Sequence, residues 1–270
     1  MIQVSAVLND ESVVNVPMQS MVFPGGEVHV SVETVRFAKE IVTTALLTDS
    51  QQVMQLLMVK DAINRLYPLL PKRLVMPYVP YARQDRVANP GEALGAKVFC
   101  QLVNQLDFSV VEVEDPHSDV VTALLDNVVV KDPLPSLTRL QQRLGAVALV
   151  APDAGASKRV FKLAKGLGVP MLQAEKVRDT QTGQITGSRM QGELPNLPLL
   201  LVDDICDGGK TFTALAHEIR RDMQVKGYQQ PLYLFVTHGI FSKGLDELCH
   251  YFDGVFARHS WISDPRCQLV

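Results

Sequence analysis

The chain has 270 residues, 47% of them hydrophobic, and a formal net charge of -3. That length suggests two domains of ordinary size with buried cores. The charge balance gives no broad basic field for nucleic acid, so phosphate groups must be met by local loops. The four cysteines (Cys100, Cys206, Cys249, Cys267) form no Cys-x-x-Cys pair, which argues against a structural zinc site and a disulfide framework. A reducing cytoplasm is the simplest setting. No basic stretch precedes an apolar one at the start, and no apolar run approaches a membrane span, so neither a signal peptide nor a membrane partner is expected.

Short β-branched runs alternate with helical patterns, which predicts an α/β protein with mainly parallel sheets flanked by helices. Strands are expected at 3–8, 28–32, 41–47, 73–78, 109–113 and 128–131, then at 146–151, 171–174, 199–202, 232–236 and 254–257. Helical spacing of apolar positions covers 53–66, 93–106, 137–144, 158–167 and 212–223. Pro133 and Pro135 break the regular pattern, so the predicted domains are 1–133 and 134–270. In each half one strand closes on acids, Glu114-Asp115 and Asp203-Asp204, a hint of internal duplication. The polar, glycine-bearing segment 178–192 reads as a long loop or ribbon, a candidate lid.

The most telling stretch runs from Leu199 to Thr211. An apolar strand ends in Asp203 and Asp204; Asp207-Gly208-Gly209-Lys210-Thr211 follows, and then a helical pattern begins. Open α/β sheets bind ligands at the carboxyl ends of their strands. Glycines let successive amides converge on an anion, and a helix N-terminus favours it further. Carboxylates for hydroxyls or a metal, beside a phosphate cradle, suit a sugar phosphate; the alternative is an ordinary turn with solvated acids. A Walker A loop is excluded, because the glycine it needs five residues before Gly209 is Asp204.

Arg83-Gln84-Asp85-Arg86 follows a predicted strand. Arginine forks grip phosphates and glutamine reads polar edges, whereas a surface Arg–Asp pair is the plainer reading. His117 after the next strand is either a structural hydrogen-bonder or a site residue. Lys176 and Arg178 sit at the root of the candidate lid, where strand alternation points both to one face; solvated surface charges are the alternative.

These segments carry a resemblance. The run from Asp203 to Thr211 resembles the phosphoribosyl-diphosphate loop of the phosphoribosyltransferase fold, in which two acids hold ribose hydroxyls and the turn holds the 5-phosphate. Tyr81-Ala82-Arg83-Gln84-Asp85-Arg86 resembles a signature of the ribose-phosphate diphosphokinases (phosphoribosyl diphosphate synthetases). Phe23-Pro24-Gly25-Gly26-Glu27, Asp115-Pro116-His117, Ala151-Pro152-Asp153-Ala154-Gly155, Lys176-Val177-Arg178 and Thr237-His238-Gly239-Ile240-Phe241-Ser242 resemble further motifs of that family, in the same order.

The resemblance implies two phosphoribosyltransferase-like domains and transfer of the β,γ-diphosphoryl group of ATP to the 1-hydroxyl of ribose 5-phosphate, giving phosphoribosyl diphosphate and AMP. It implies Mg2+, with His117 and Asp153 at metal-linked positions. Phe23, Glu27, Arg83, Gln84, Asp85 and His117 would bind ATP. Asp203, Asp204, Asp207, Gly208, Gly209, Lys210 and Thr211 would bind the sugar phosphate, and Lys176 and Arg178 would be the catalytic cations. In the family the adenine loop comes from a neighbouring subunit, which implies a homo-oligomer, a dimer or higher.

The chain departs from the family at Gly25, Pro116, Gly208 and Lys210, and it stops soon after Pro265 without the further strand and helix most members carry. Gly208 and Lys210 suit a larger or more anionic acceptor, so ADP-ribose, as in NAD metabolism, is the second reading. A phosphoribosyltransferase and a non-catalytic associated subunit are the remaining alternatives. Retention of Lys176, Arg178, Asp203, Asp204 and Asp207 weighs against the last.

Overall fold

Asp49 accepts the Gln52 amide hydrogen at 2.8 Å and so starts α1 (Ser50–Leu66). Leu56, Val59 and Ile63, spaced at helical intervals, are buried against the first of two compact units, Met1–Lys131 and Asp132–Val270. The computed structural model describes residues 1–178 and 185–270, and side chains outside 176–189.

In the first unit, β1 (Ile2–Leu8), β2 (Val13–Val16), β5 (Ala38–Ala45), β6 (Lys72–Val75), β7 (Val110–Glu114) and β8 (Val128–Lys131) form a six-stranded sheet of order β2-β1-β5-β6-β7-β8. β1 pairs antiparallel with β2 and β5, and β5 through β8 are parallel. Ile2, Val4 and Ala6 alternate inward, as the two-residue period of a half-covered strand requires. On α2 (Gly95–Gln105) Ala96, Phe99, Cys100 and Val103 form the buried stripe. A separate hairpin, β3 (Met18–Val22) with β4 (Val28–Val32), stands beside this sheet, and the short α3 (Asp119–Leu124) follows β7.

In the second unit, β9 (Ala148–Ala151), β10 (Met171–Arg178), β11 (Ile185–Met190), β12 (Leu199–Cys206), β13 (Leu232–Gly239), β14 (Gly254–Ser260) and β15 (Cys267–Leu269) make a sheet of order β11-β10-β9-β12-β13-β14-β15. All its pairs are parallel except β10 with β11. β9 and the first half of β12 are buried throughout, as strands covered on both faces must be. Leu199 and Leu201 pack with α6 (Lys210–Lys226) residues such as Leu215 and Ile219. Leu200 and Val202 pack with α4 (Leu134–Leu144) and α5 (Ala154–Leu167). A short α7 (Asp246–Tyr251) lies between β13 and β14.

Mixed α/β architecture with parallel-centred sheets and flanking helices is thus what the alternation of runs predicted. Several details differ. β2, β3, β15, α3 and α7 were not expected; most are short, and β3 is mostly exposed. The 73–78 run stops at Val75, because Pro77 removes a ladder donor. Of the loop or ribbon expected at 178–192, the described parts take the ribbon form, since β10 and β11 pair antiparallel. Among the described residues no helix is long and apolar enough to cross a membrane.

Candidate active site

β12 does not stop at Val202. It continues to Cys206, so Asp203 and Asp204 lie on the strand rather than beyond it, with Asp203 and Ile205 in register with Val236 and His238 of β13. Asp204 is buried, 3% exposed. Its amide hydrogen goes to Asp203 Oδ1 at 2.9 Å. Arg159, on α5, sends Nη1 to Asp203 Oδ1 at 2.8 Å and to Asp204 Oδ1 at 2.9 Å. Burial, and then the neighbouring Asp204 charge, push the Asp203 carboxyl well above the usual carboxylate range; Arg159 pulls it back.

The turn beyond β12 is short. Gly209 caps α6 with φ of 77°, a left-handed conformation that favours glycine, and Lys210 and Thr211 are already the first helical residues. The unpaired amides of that helix start face the turn, a ready place for phosphate. Gly208 differs. An added Cβ there would meet Lys243 Cγ at 3.6 Å and Ser242 Oγ at 3.9 Å, ordinary contacts, and its φ lies outside the left-handed region. Neither space nor backbone demands glycine at 208.

The loop after β13 is fastened to this turn. Ile240 and Phe241 amides donate to the Cys206 carbonyl at 2.8 and 3.1 Å, and Ser242 Oγ donates to Asp207 Oδ1 at 2.6 Å. Phe241 holds a left-handed φ of 50°, and its ring occupies the space a Gly239 Cβ would need. Asp153 follows β9, and its Oδ1 accepts the Ala156 amide hydrogen at 3.1 Å as the cap of α5. The backbones of Lys176 and Arg178 lie at the carboxyl end of β10, paired with Ser188 and Ile185; their side chains lie outside the described residues. Since β9, β10, β12 and β13 are parallel, all these segments share one edge of the sheet.

The first unit repeats the arrangement. Arg83, Gln84 and Asp85 follow β6, and His117 follows β7, at the carboxyl edge of neighbouring parallel strands. The Glu114 amide donates to the Pro77 carbonyl at 2.9 Å, tying the two loops at their roots. Tyr81 (φ 63°) and Asp115 (φ 44°) are left-handed at these loops, local strain of the kind ligand sites retain. Gln84 also braces α2: its Oε1 sits where a Gly95 Cβ would be, and its carbonyl accepts the Ala96 amide hydrogen at 3.1 Å. Phe23 and Glu27 close the β3–β4 hairpin through a 2.8 Å backbone bond, with Phe23 43% exposed and its ring tilted at 49° against His29, centroids 5.9 Å apart.

Among the described residues no three His, Cys, Asp or Glu side chains gather as a metal cluster. Magnesium needs none, because it takes few protein carboxylates and completes its shell with phosphates and water. By donor chemistry the Asp153 carboxylate fits it better than the His117 imidazole. Arg159 and Lys243 are site neighbours that residue patterns left unmarked, whereas Ser242 closes the 237–242 run; nothing in spacing distinguishes Arg159 from other charged helix residues.

Two units, each with a parallel-centred sheet and anion-competent loops at its strand ends, define a phosphoribosyltransferase-like protein. The phosphoribosylpyrophosphate synthetase structure from Mycobacterium smegmatis has this fold, with a TM-score of 0.80 over 95% of this chain and 86% of that one at 21% identity. A model of the "N-terminal domain of ribose phosphate pyrophosphokinase" matches residues 4–106. The ribose-phosphate pyrophosphokinase of Porphyromonas gingivalis is 30% identical over 227 residues, 82% of this chain and 70% of that protein. That of Corynebacterium glutamicum is 28% identical over 250 residues, 88% of this chain and 74% of that protein. The chain belongs to the ribose-phosphate pyrophosphokinase family of enzymes.

Proposed function

We propose that the chain transfers the β,γ-diphosphoryl group of ATP, with Mg2+, to the 1-hydroxyl of ribose 5-phosphate. The oxygen of that hydroxyl bonds to the β-phosphorus. The bond from that phosphorus to the α,β-bridging oxygen breaks, AMP leaves with the oxygen, and the hydroxyl proton passes to solvent. One observation carries the reading: a single sheet edge joins the Asp203–Asp204 pair, the Gly209-capped start of α6, Asp153 and the end of β10 that bears Lys176 and Arg178.

The acids accept hydrogen bonds from sugar hydroxyls, and the amides from Asp207 to Thr211 hold the 5-phosphate. Arg83 and Gln84, with Asp85 and His117, hold the ATP phosphates and ribose, while Phe23 and Glu27 address adenine. The exposed Phe23 hairpin suits assembly as a homo-oligomer, which light scattering of the purified protein measures. Asp153 would hold the magnesium ion, whose charge neutralises the polyphosphate. Lys176 and Arg178 are proposed to meet the charge that develops on the transferring group.

A second reading has its own observation. Gly208 leaves room beside the Lys243 stem, and Lys210 adds a cation to the turn, so a larger anionic acceptor, ADP-ribose, fits the same chemistry and yields ADP-ribose diphosphate. The protein is incubated with magnesium, ATP and either acceptor, and AMP is measured. AMP with ribose 5-phosphate supports the first reading, and AMP with ADP-ribose alone supports the second. No AMP with either removes both and leaves a phosphoribosyltransferase or a non-catalytic associated subunit.

A further inference from the structure

We propose that Arg159 is a positioning residue for the acceptor: its guanidinium clamps Asp203 and Asp204 side by side and opposes proton uptake by the pair, so that both can accept from neighbouring sugar hydroxyls. The inference rests on the reading of these acids as acceptor ligands.

The geometry is a shared clamp. One nitrogen, Nη1, reaches Oδ1 of Asp203 at 2.8 Å and Oδ1 of Asp204 at 2.9 Å, bridging adjacent residues of β12 from the helix that packs beside it. The side chains are 18%, 19% and 5% exposed in the order Arg159, Asp203, Asp204, so water screens the contact weakly. Two carboxylates on consecutive residues repel, and in a half-buried setting one of them takes up a proton unless a cation intervenes. A protonated carboxyl becomes a donor on one oxygen, whereas a pair of sugar hydroxyls offering two hydrogens needs acceptors on both acids. Burial and the Asp204 charge already favour protonation of Asp203, and Arg159 opposes them.

The other titratable groups on elements around the pair include Cys206 and Asp207 on the same run, His238 in register with Ile205 on β13, Asp153, Lys158 and Lys162 on or capping α5, and Lys210 at the start of α6. The charges that act on the Asp203 carboxyl are those of Asp204 and Arg159, and arginine stays charged at every working pH. The anchoring is also stiff. Val160, Leu163 and Ala164 bury α5 against Leu200 and Val202, which fixes where position 159 projects. Exchange for lysine would keep the charge but lose the planar fork.

The test labels aspartate carboxyl carbons with 13C and follows their NMR titration in the full-length protein, with Asp203→Asn and Asp204→Asn assigning the signals. Arg159→Met should raise the midpoint of the pair by about one to three pH units, the size of shift one neighbouring charge produces. Arg159→Lys should recover most of that. On the same proteins, the Arg159→Met KM for the acceptor should climb as pH falls from 8, while kcat at saturating acceptor stays within threefold. Unmoved carboxyl midpoints, or a fall in kcat with KM unchanged, overturn the proposal.

A wild-type protein that makes no AMP with either acceptor would sink the proposed function instead, and the carboxyl titration would still decide the role of Arg159. If Arg159→Met does not fold, the comparison moves to the Asp204→Asn background, where no second acid is left uncompensated. There Asp203 must still titrate about one pH unit higher once Arg159 is lost. An unmoved midpoint in that background equally overturns the clamp.

Discussion

Ser242 holds Asp207 twice: its hydroxyl donates to the carboxylate over 2.6 Å, and its amide donates to the Asp207 carbonyl over 3.2 Å. The loop after β13 therefore braces the turn proposed to hold the acceptor phosphate. Ser242→Ala removes the side-chain bond and keeps the backbone one. A hydrogen bond to a charged group is worth about 1.5–3 kcal/mol, less where exposed as here. The expected outcome is a three- to tenfold rise in acceptor KM with kcat within twofold, read from AMP release against acceptor concentration. A drop in kcat alone would mean that the brace acts on chemistry rather than binding.

Gly239 is the tightest position in that brace. A Cβ there would lie 2.0 Å from Phe241 Cε2, and Phe241 is 1% exposed with a left-handed backbone. The ring has no empty space to turn into, so Gly239→Ala must shift the loop. Overpacking of this kind costs about 1–3 kcal/mol. Urea unfolding should show that loss as a lower midpoint at unchanged slope. Wild-type stability in Gly239→Ala would mean the loop relaxes freely.

The cysteines should separate by burial. Cys206 ends β12 beside Asp207, and burial pushes its thiol up to about 12; Cys100 and Cys267 are pushed to about 11 for the same reason. Cys249, half-buried, is raised less far by burial. At pH 8 a thiol of pKa 11 is about 0.1% thiolate, and the thiolate is what reacts. A maleimide added to the native protein at pH 8 should modify Cys249 first and the other three only on unfolding. Prompt labelling of Cys206, found by peptide mass, would show that the end of β12 opens.

Much of this was legible in the residues, for physical reasons. Long apolar runs such as Leu199–Val202 and helical stripes such as Ala96, Phe99 and Val103 announce themselves, because two-faced burial leaves no polar position. The turn between β12 and α6, proposed to hold the sugar phosphate, stood out because acid, glycine and helix start occur there in fixed order. Strand ends were less so. Asp203 and Asp204 looked like the first residues after a strand, yet parallel pairing with β13 carries the ladder past them to Cys206. Short pieces such as β15 and α7 depend on tertiary pairing rather than local pattern. Arg159 was illegible because its role arises only when α5 folds back across β12, a contact 44 residues distant in the chain.

Gly208 is open to a size test. Because an added Cβ finds only ordinary contacts with Lys243 and Ser242, Gly208→Thr should leave thermal unfolding close to wild type, within about 0.5 kcal/mol. The side chain would fill the room beside the phosphate turn. If that room serves a bulky acceptor, kcat/KM for ADP-ribose should fall at least tenfold relative to that for ribose 5-phosphate. Equal effects on both acceptors would assign the space no part in selection.

Lys176 lies at the carboxyl end of β10, opposite Ser188 in the antiparallel pairing with β11. Its proposed role is to meet charge that appears only as the diphosphoryl group moves. An interaction stronger in the transition state than in the ground state lowers kcat when it is lost, and leaves substrate affinity nearly alone. Lys176→Ala should therefore reduce kcat by about 100-fold or more, the usual loss for one preorganised cation or donor, while the Kd for ATP measured by calorimetry stays within about threefold. Arg178→Ala should behave the same way. Loss of the two together should fall short of the product of the single losses, because groups acting on one developing charge are not additive. A Kd that weakens in step with kcat would place Lys176 on the bound nucleotide and move the transition-state role to Arg178.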